Sequence, residues 1–471
     1  MKFFSLAVCF VAMATMIGCA KDNELANNDK VVTSTVTVGL ENADASKRLN
    51  DGTPMTRDFV VGEKIAVVYE NTSSTMVKAE VTLTAGDITN AGKTATITVA
   101  MTNPKTNGTL KLIYPASMAN NDGTVNWDAL YKNQDGTLGT LSSHFDFSMF
   151  EGTLDGTNLP ADPVMASQVA ICKFTVKDGG SPVTSSVTKL TVKNGSDIYS
   201  VTPSSLSEIW VAVKPVTAGD IKLYVARGKA LYTKTVTGKT LDANTPYAIG
   251  LTPTLVPNAV SGLFRVNDDL IYFSQGNLRY ASSEWSFFPN QYDYYTTYDA
   301  GAWDKFGWST STTTYGMSTS TNYSDYSGVF VDWGNAMGSG WRTPSTDEWQ
   351  GVFNGHTYGM ATVNGVHGIV ILPYNTTVAS FNTNHSAWND NPYADAAAWA
   401  PMEAAGAVFL PAAGYRRDGT NVDDVGNYGL YWSSTAYDGN YAWSVSFDKD
   451  GASPGGHVYR YIGHSVRLVC E

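Results

Sequence analysis

The sequence predicts a mainly β protein: two tandem β-sandwiches, then an α+β domain with long, irregular loops. Three observations lead there. Apolar residues alternate with Thr-rich polar ones in short runs through the first half of the chain, the period-two pattern of half-buried strands. Clusters of Asn, Asp and Gly separate those runs. Composition then changes near residue 258: only Trp127 and Trp210 of the 12 Trp precede that point.

The first thirty residues stand apart. Lys2 precedes an apolar run from Phe3 to Ile17 that stops at Gly18-Cys19. A short positive end with an apolar centre too short to span a bilayer is a secretory signal, here residues 1–18. Met16-Ile17-Gly18-Cys19 resembles the lipobox of bacterial lipoproteins, although Met16 and Ile17 depart from the usual Leu and small residue. The resemblance implies cleavage before Cys19 and a lipid on its thiol, anchoring the chain to a membrane. An ordinary cleaved signal would instead free a soluble protein. Residues 19–30 are polar and read as a tether. Within it Lys21-Asp22-Asn23-Glu24 resembles the acidic export signal of Bacteroidetes surface lipoproteins, which implies an outer-membrane anchor facing outward.

Residues 31–160 carry the first sandwich. Val36, Val38 and Leu40 alternate with Thr and Gly, and Ala95, Ile97 and Val99 do so with Thr. Residues 161–257 carry the second, with Ile221, Leu223 and Val225 in the same rhythm. Breaks at Asn120-Asn121-Asp122-Gly123, Asp178-Gly179-Gly180 and Lys193-Asn194-Gly195 mark hairpins. Pro253 and Pro257 interrupt regular structure before a third domain at 258–471.

That third domain holds 20 acidic and 9 basic residues, against 23 and 22 before it, so most of the net charge of −12 lies there. Such a surface repels phosphate, which excludes nucleic acid as a partner. Gly340 to Trp349 reads as a strand end leading into a helix, with Ser345 and Glu348 as a capping box and Trp349, Val352 and Phe353 on one face.

Two resemblances follow from the order of motifs. Val61-Gly62-Glu63-Lys64-Ile65-Ala66-Val67, Leu110 to Ala116 and Asp146-Phe147 together resemble the fimbrillin family of Bacteroidetes over residues 31–252. The family implies transthyretin-like sandwiches, export as a lipoprotein, trimming by an Arg-specific protease, and joining of fimbrial subunits by addition of a neighbour's strand. Arg48 and Arg57 are the candidate trimming sites, Arg48 preferred for its flexible flanks. Gly340 to Trp349, Phe409 to Arg416, Gly429 to Thr435 and Gly463 to Val469 together resemble the C-type-lectin-like fold, in the branch that includes formylglycine-generating enzyme. In ordinary fimbrillins the C-terminal end fills the next subunit's groove. Here the chain runs on into a further domain, which implies a tip subunit of a type V fimbria presenting an adhesive head.

Catalysis is not expected. Formylglycine-generating members use active-site cysteines, whereas this domain holds Cys470 alone, inside an apolar run. Neither metal-spaced histidines nor a Gly-x-Ser-x-Gly elbow occurs. Cys172 and Cys470 are the cysteines left after processing, and one remote pair is poor evidence for a disulfide. Binding of a glycan or protein is the expected role, with no cofactor required, and three sets of residues could carry it. Asn389 and Asp390 follow Trp388 in the tripeptide that calcium-dependent lectins use at their sugar site, though about 80 residues from the end and among turn formers. Asp423 and Asp424, with Asp418 and Asn421, form an acidic loop without EF-hand spacing. Trp285, Tyr292, Tyr294, Tyr295, Tyr298, Trp303 and Trp308 form an aromatic set, mostly core, with two or three rings expected on the surface. The alternatives to a fimbrial tip adhesin are a monomeric surface lipoprotein that binds such ligands, and a formylglycine-generating-like enzyme.

Overall fold

The computed structural model describes residues 29–41, 57–338 and 340–471. The signal, Cys19, the export segment and Arg48 lie outside them. Among the described residues the chain is mainly β, with strands from Val31 to Cys470.

The strand Val31–Leu40 sits inside the first sheet rather than at its edge. It pairs antiparallel with Thr94–Thr102 from Val31↔Thr102 to Gly39↔Thr94. On its other side it meets Val164–Ser167 in parallel, Gly39↔Val164 and Leu40↔Met165. Its alternation places Val36, Val38 and Leu40 in a core with Ile97, Val99, Leu112 and Tyr114, while Thr35 and Thr37 face Thr98 and Thr96 across the outer surface. The expected domain boundary at 160/161 falls before Val164–Ser167, which also pairs with Ser148–Thr153 and so completes the first sheet. Between the strands the chain makes a short helix, Trp127–Lys132.

The second unit packs the strands Ala170–Asp178, Ile209–Val213 and Thr245–Leu251 against a sheet of Asp197–Val201, Lys189–Asn194, Val216–Arg227, Ala230–Leu241 and Thr254–Val256. One apolar cluster joins the two units, since Val68, Ile113 and Phe147 of the first share it with Phe174, Val192 and Val211 of the second. Cys172 lies within it as a free thiol, and burial pushes that thiol up to about 12.

The third unit continues this contact. Ile198, Tyr224 and Leu231 share a core with Leu263, Leu270 and Tyr272. Lys189 reaches across to donate to the Tyr374 carbonyl at 2.7 Å, the Asn375 carbonyl at 3.2 Å and the Thr376 hydroxyl at 3.0 Å. The unit is loop-rich, and large rings fill what strands do not: Trp308, Trp333, Trp349, Trp399 and Trp432 are fully buried. This accounts for the concentration of Trp after residue 260, because each such ring removes roughly 150–250 Å² from water. Most of these indoles also donate to backbone, Trp308 to Ser433 and Trp432 to Phe306.

The sequence motifs of this unit meet one another. The helix Thr346–Gly355 opens with the capping box of Ser345 and Glu348. Glu348 takes a two-pronged bond from Arg342 at 2.7 and 2.5 Å, and Arg342 pairs with Val469. Thr346 and Ser433 bond through their hydroxyls at 3.0 Å, and Tyr431 pairs with Ser465. The final strand Val469–Cys470 adds to Asp269–Phe273 through Tyr272↔Cys470 and Phe273↔Val469. These motifs therefore build the frame.

Candidate ligand-binding surface

The expected aromatic set belongs to the frame as well. Trp303 and Trp308 are buried, and Trp303 donates its indole N–H to the Ala300 carbonyl at 3.0 Å. Trp285 packs edge-on to Tyr315 and tilted against Phe306 and Tyr280. Tyr295 packs on Phe288, and its backbone carbonyl accepts from Lys305 within the buried Asp304–Lys305 pair. Tyr292 is half-buried beside Arg279, Asp293 and Tyr294 around a shallow hollow. The expectation of two or three exposed rings here is corrected: all seven are buried or half-buried, because the loop from Trp285 to Trp308 folds back onto the core rather than over the surface.

The two acidic candidates are internally satisfied. Asn389 accepts from the Thr362 hydroxyl at 2.9 Å. Asp390 accepts the amides of Ser386 and Ala387 at 3.2 and 3.1 Å, closing a tight turn. Trp388 beside them stacks on His367. In the other set, Asn421 donates to Asp418 at 2.6 Å and Arg417 pairs with Asp423 at 3.1 Å. Asp424 faces Tyr415, whose hydroxyl is shifted upward by burial and by that carboxylate. Among the described residues, no group of three or more His, Cys, Asp or Glu side chains is placed to hold a metal ion. The calcium reading therefore finds no converging ligand set in this geometry.

A different surface gathers seven rings, of which Tyr323, Tyr437 and His457 are exposed and Tyr441, Trp443, Tyr459 and Tyr461 half-buried. The strands Gly429–Ala436, Tyr441–Asp448 and Gly451–Tyr459 form an antiparallel sheet. Its register sets Tyr441 against Tyr459 and Trp443 against His457, so alternation puts these four rings on one face. Tyr437, in the turn between the first two strands, lies flat on His457, with centroids 3.9 Å apart and planes 3° apart, and edge-on to Trp443 at 5.1 Å. Tyr441 and Tyr459 are 4.3 Å apart. Tyr323, from the turn Tyr323–Tyr326, completes the row against Tyr459 and Tyr461 at 5.2 and 5.4 Å. Tyr437 and Tyr323 remain 48% and 40% exposed.

The phenol groups are linked. The Tyr459 hydroxyl interacts with those of Tyr441 and Tyr323, which hold it below the usual phenol range. The same contact, ahead of burial, pushes Tyr441 and Tyr323 up to about 12. Beneath the row, the Arg460 guanidinium lies 4.2 Å from the Trp308 ring centre. It donates to the carbonyls of Tyr441, Tyr326, Gly328 and Asp438. One buried cation thus ties the Tyr323 turn to the Tyr437 turn and sets their spacing. The result is a rigid, amphipathic ring surface of the kind that stacks on the apolar face of a sugar or anchors a protein contact. The sequence signal was there in Tyr441-Ala442-Trp443 and His457-Val458-Tyr459-Arg460-Tyr461, an alternation of rings at strand period.

Arg57, the second trimming candidate, is buried. It donates to the carbonyls of Asp146 and Ser143 at 2.6 and 2.7 Å and pairs with Glu63 at 3.0 Å, over the Tyr114 ring. A protease cannot reach this side chain in the folded sandwich.

Residues 381–469 match a family model described as a domain of unknown function, DUF8237. No curated protein matches the chain. Among solved structures, similarity extends to a Bacteroides ovatus protein named for an inferred role in cell adhesion, at 13% identity over 48% of this chain and 95% of that one, with a TM-score of 0.31. A fimbrial assembly protein of Parabacteroides distasonis is 11% identical over 52% of this chain and 94% of that one, TM-score 0.27. A fimbrial protein of Bacteroides ovatus is 7% identical over 93% of this chain and 99% of that one, TM-score 0.26. TM-scores of this size are too low to establish a common fold.

Proposed function

We propose that this chain is a cell-surface adhesin, the tip subunit of a type V fimbria, lipid-anchored through Cys19 and binding a glycan or protein through its C-terminal domain. The observation that carries the adhesive role is the row of rings from Tyr323 to Tyr461, exposed at Tyr323, Tyr437 and His457, beneath which Arg460 bonds carbonyls of both turns. Binding surfaces concentrate rigid rings in this way, because they supply contact area at little cost in side-chain entropy.

The fimbrial role is supported by the place of Val31–Leu40. A strand with neighbours on both sides leaves a groove if it is withdrawn, and the groove would offer main-chain hydrogen bonds and the pockets of Val36, Val38 and Leu40 to an incoming strand. Cleavage after Arg48 would free that strand. At the other end, Val466 to Val469 are buried in their own domain's core, so that segment is not available to a neighbour without opening the core. The test is to isolate fibres from the producing cells and locate this chain with labelled antibody. Label confined to one end of each fibre is the expected result, and fibres free of the chain would leave the monomeric surface protein as the better reading.

A further inference from the structure

Arg279 differs from every other cation of the third unit. That unit holds nine basic residues. Five of them, Arg265, Lys305, Arg342, Arg417 and Lys449, pair with carboxylates. Arg416, Arg460 and Arg467 are buried and donate to backbone carbonyls. Among the described residues of the unit, Arg279 alone has neither kind of partner. Its Nε donates to the hydroxyl of Ser286, its cross-strand neighbour, at 3.1 Å, and its guanidinium carbon lies 5.1 Å from the centre of the Phe288 ring. These two contacts hold a half-buried side chain in place. Its Nη groups meet no acceptor in the chain and stay open to solvent, so its strongest donors are left for something outside the molecule.

The guanidinium lines a shallow hollow of about 490 Å³, of the size that takes a small ligand. Around it stand Tyr292, Asp293, Tyr294, Thr296 and Asn364. All five are exposed or half-buried, so a ligand can reach them. The hydroxyls of Tyr292, Tyr294 and Thr296 and the side-chain amide of Asn364 hydrogen-bond to nothing among the described residues. This sets the hollow apart from the acidic candidates, whose polar groups close on one another. Asp293 is the exception, since its carboxylate accepts the backbone and side-chain N–H groups of Asn290 at 3.2 and 2.9 Å, and it forms no ion pair with Arg279.

A planar fork of N–H donors matches the two oxygens of a carboxylate. The free hydroxyls and the amide match the hydroxyls of a sugar ring, which also donate and accept. Phenol rings add apolar surface for its C–H groups. Asp293 beside a single cation, within a unit of acidic excess, opposes a ligand that carries more than one negative charge.

We propose that this hollow binds a carboxylate-bearing sugar, a uronic or sialic acid unit, with its carboxylate on Arg279 and its hydroxyls among Tyr292, Thr296 and Asn364. The site is separate from the ring row, and it deepens the glycan reading above, on which it rests for the class of ligand.

The experiment uses the full processed chain, with the methyl glycosides of glucuronic, galacturonic and N-acetylneuraminic acids, their methyl esters, and galactose 6-sulfate, measured by calorimetry and saturation-transfer NMR. At least one of the acids should bind, and its methyl ester, the same sugar without the charge, should bind at least tenfold more weakly. Arg279→Gln should cut the affinity for that acid at least tenfold. Tyr292→Phe keeps the ring, removes one hydroxyl and should cut it at least threefold. Binding by none of the acids, equal binding of acid and ester, tighter binding of the sulfate, or undiminished binding by a folded Arg279→Gln protein overturns the proposal. The ring row is tested apart, since Tyr437→Ala should leave binding of the acid unchanged. If Tyr437→Ala abolishes attachment to host glycoprotein while no acid binds, the ring row stands and the hollow falls. If Tyr437→Ala attaches normally while Arg279→Gln loses the acid, the hollow stands and the ring row falls.

Discussion

The imidazole of His464 lies against the indole of Trp432, with ring centroids 4.2 Å apart and planes 23° apart. Trp432 is pinned from the other side by its N–H bond to the Phe306 carbonyl at 2.6 Å, so the histidine has no room to swing toward solvent. Its burial is therefore a property of the frame, and it has a consequence in acid.

Stability should fall as the solution is acidified. His464 has its proton affinity depressed to about 3 in the folded chain, chiefly by burial and then by Arg416, against 6.5 for the unhindered side chain. Above 6.5 both states are neutral and the group contributes nothing to the pH dependence. Between 6.5 and about 3 the unfolded chain takes up a proton that the folded chain refuses, which destabilises folding by up to about 1.4 kcal/mol per pH unit. His464→Phe keeps the ring on Trp432 and removes the titration. Melting temperatures of the two proteins from pH 7 to pH 4 should diverge in favour of the variant; a constant difference would show that the imidazole titrates alike in both states.

Binding should depend on the ring row and not on the acidic candidates. Tyr437→Ala and Trp443→Ala should each cost on the order of 2 kcal/mol in binding free energy, as interface anchors do. A chelator, or the double change Asn389→Ala and Asp390→Ala, should leave binding unaltered. Loss of binding on chelation would restore the calcium reading.

Arg460 should matter to both stability and binding. Its guanidinium satisfies carbonyls on two turns and covers Trp308. Arg460→Ala leaves those carbonyls unpaired and is expected to cost about 3 kcal/mol, while loosening Tyr323 from Tyr459. Lysine at this position should recover little, since one ammonium cannot reach several divergent acceptors. Thermal melting with proteolysis at the Tyr323 turn checks both points.

Maturation should require Arg48 and not Arg57. Arg48→Ala should leave the chain uncut in a strain that makes fibres, as read by N-terminal sequencing. Arg57→Ala should still be trimmed but should destabilise the first sandwich, because Glu63 loses its partner and the Asp146 and Ser143 carbonyls lose theirs. A mature end at Asp58 would contradict this.

The helix Thr346–Gly355 offers a check on the frame. Glu348→Ala removes both the box with Ser345 and the paired bond from Arg342, and should lower stability by about 2 kcal/mol. Glu348→Gln keeps the box and should lose less.

By itself the sequence determined what depends on near neighbours. The alternation of Val36, Val38 and Leu40 with Thr assigns a strand and its buried face, since successive side chains of a strand point to opposite sides. Ser345 and Glu348, three residues apart, specify a helix start because the bonds they make span a single turn. What the tertiary structure alone decided is which rings reach solvent and which polar atoms are left without partners. Trp303 and Trp443 each follow an alanine in the sequence, yet one is buried under Arg416 and the other is half-buried in the ring row. The row itself depends on Arg460, which bonds carbonyls beside Tyr323 and beside Tyr437 and so holds turns from distant segments together. The alternation of Tyr441 with Trp443 and of His457 with Tyr459 marks strands with rings on one face, but which turns join them follows from how the whole chain packs.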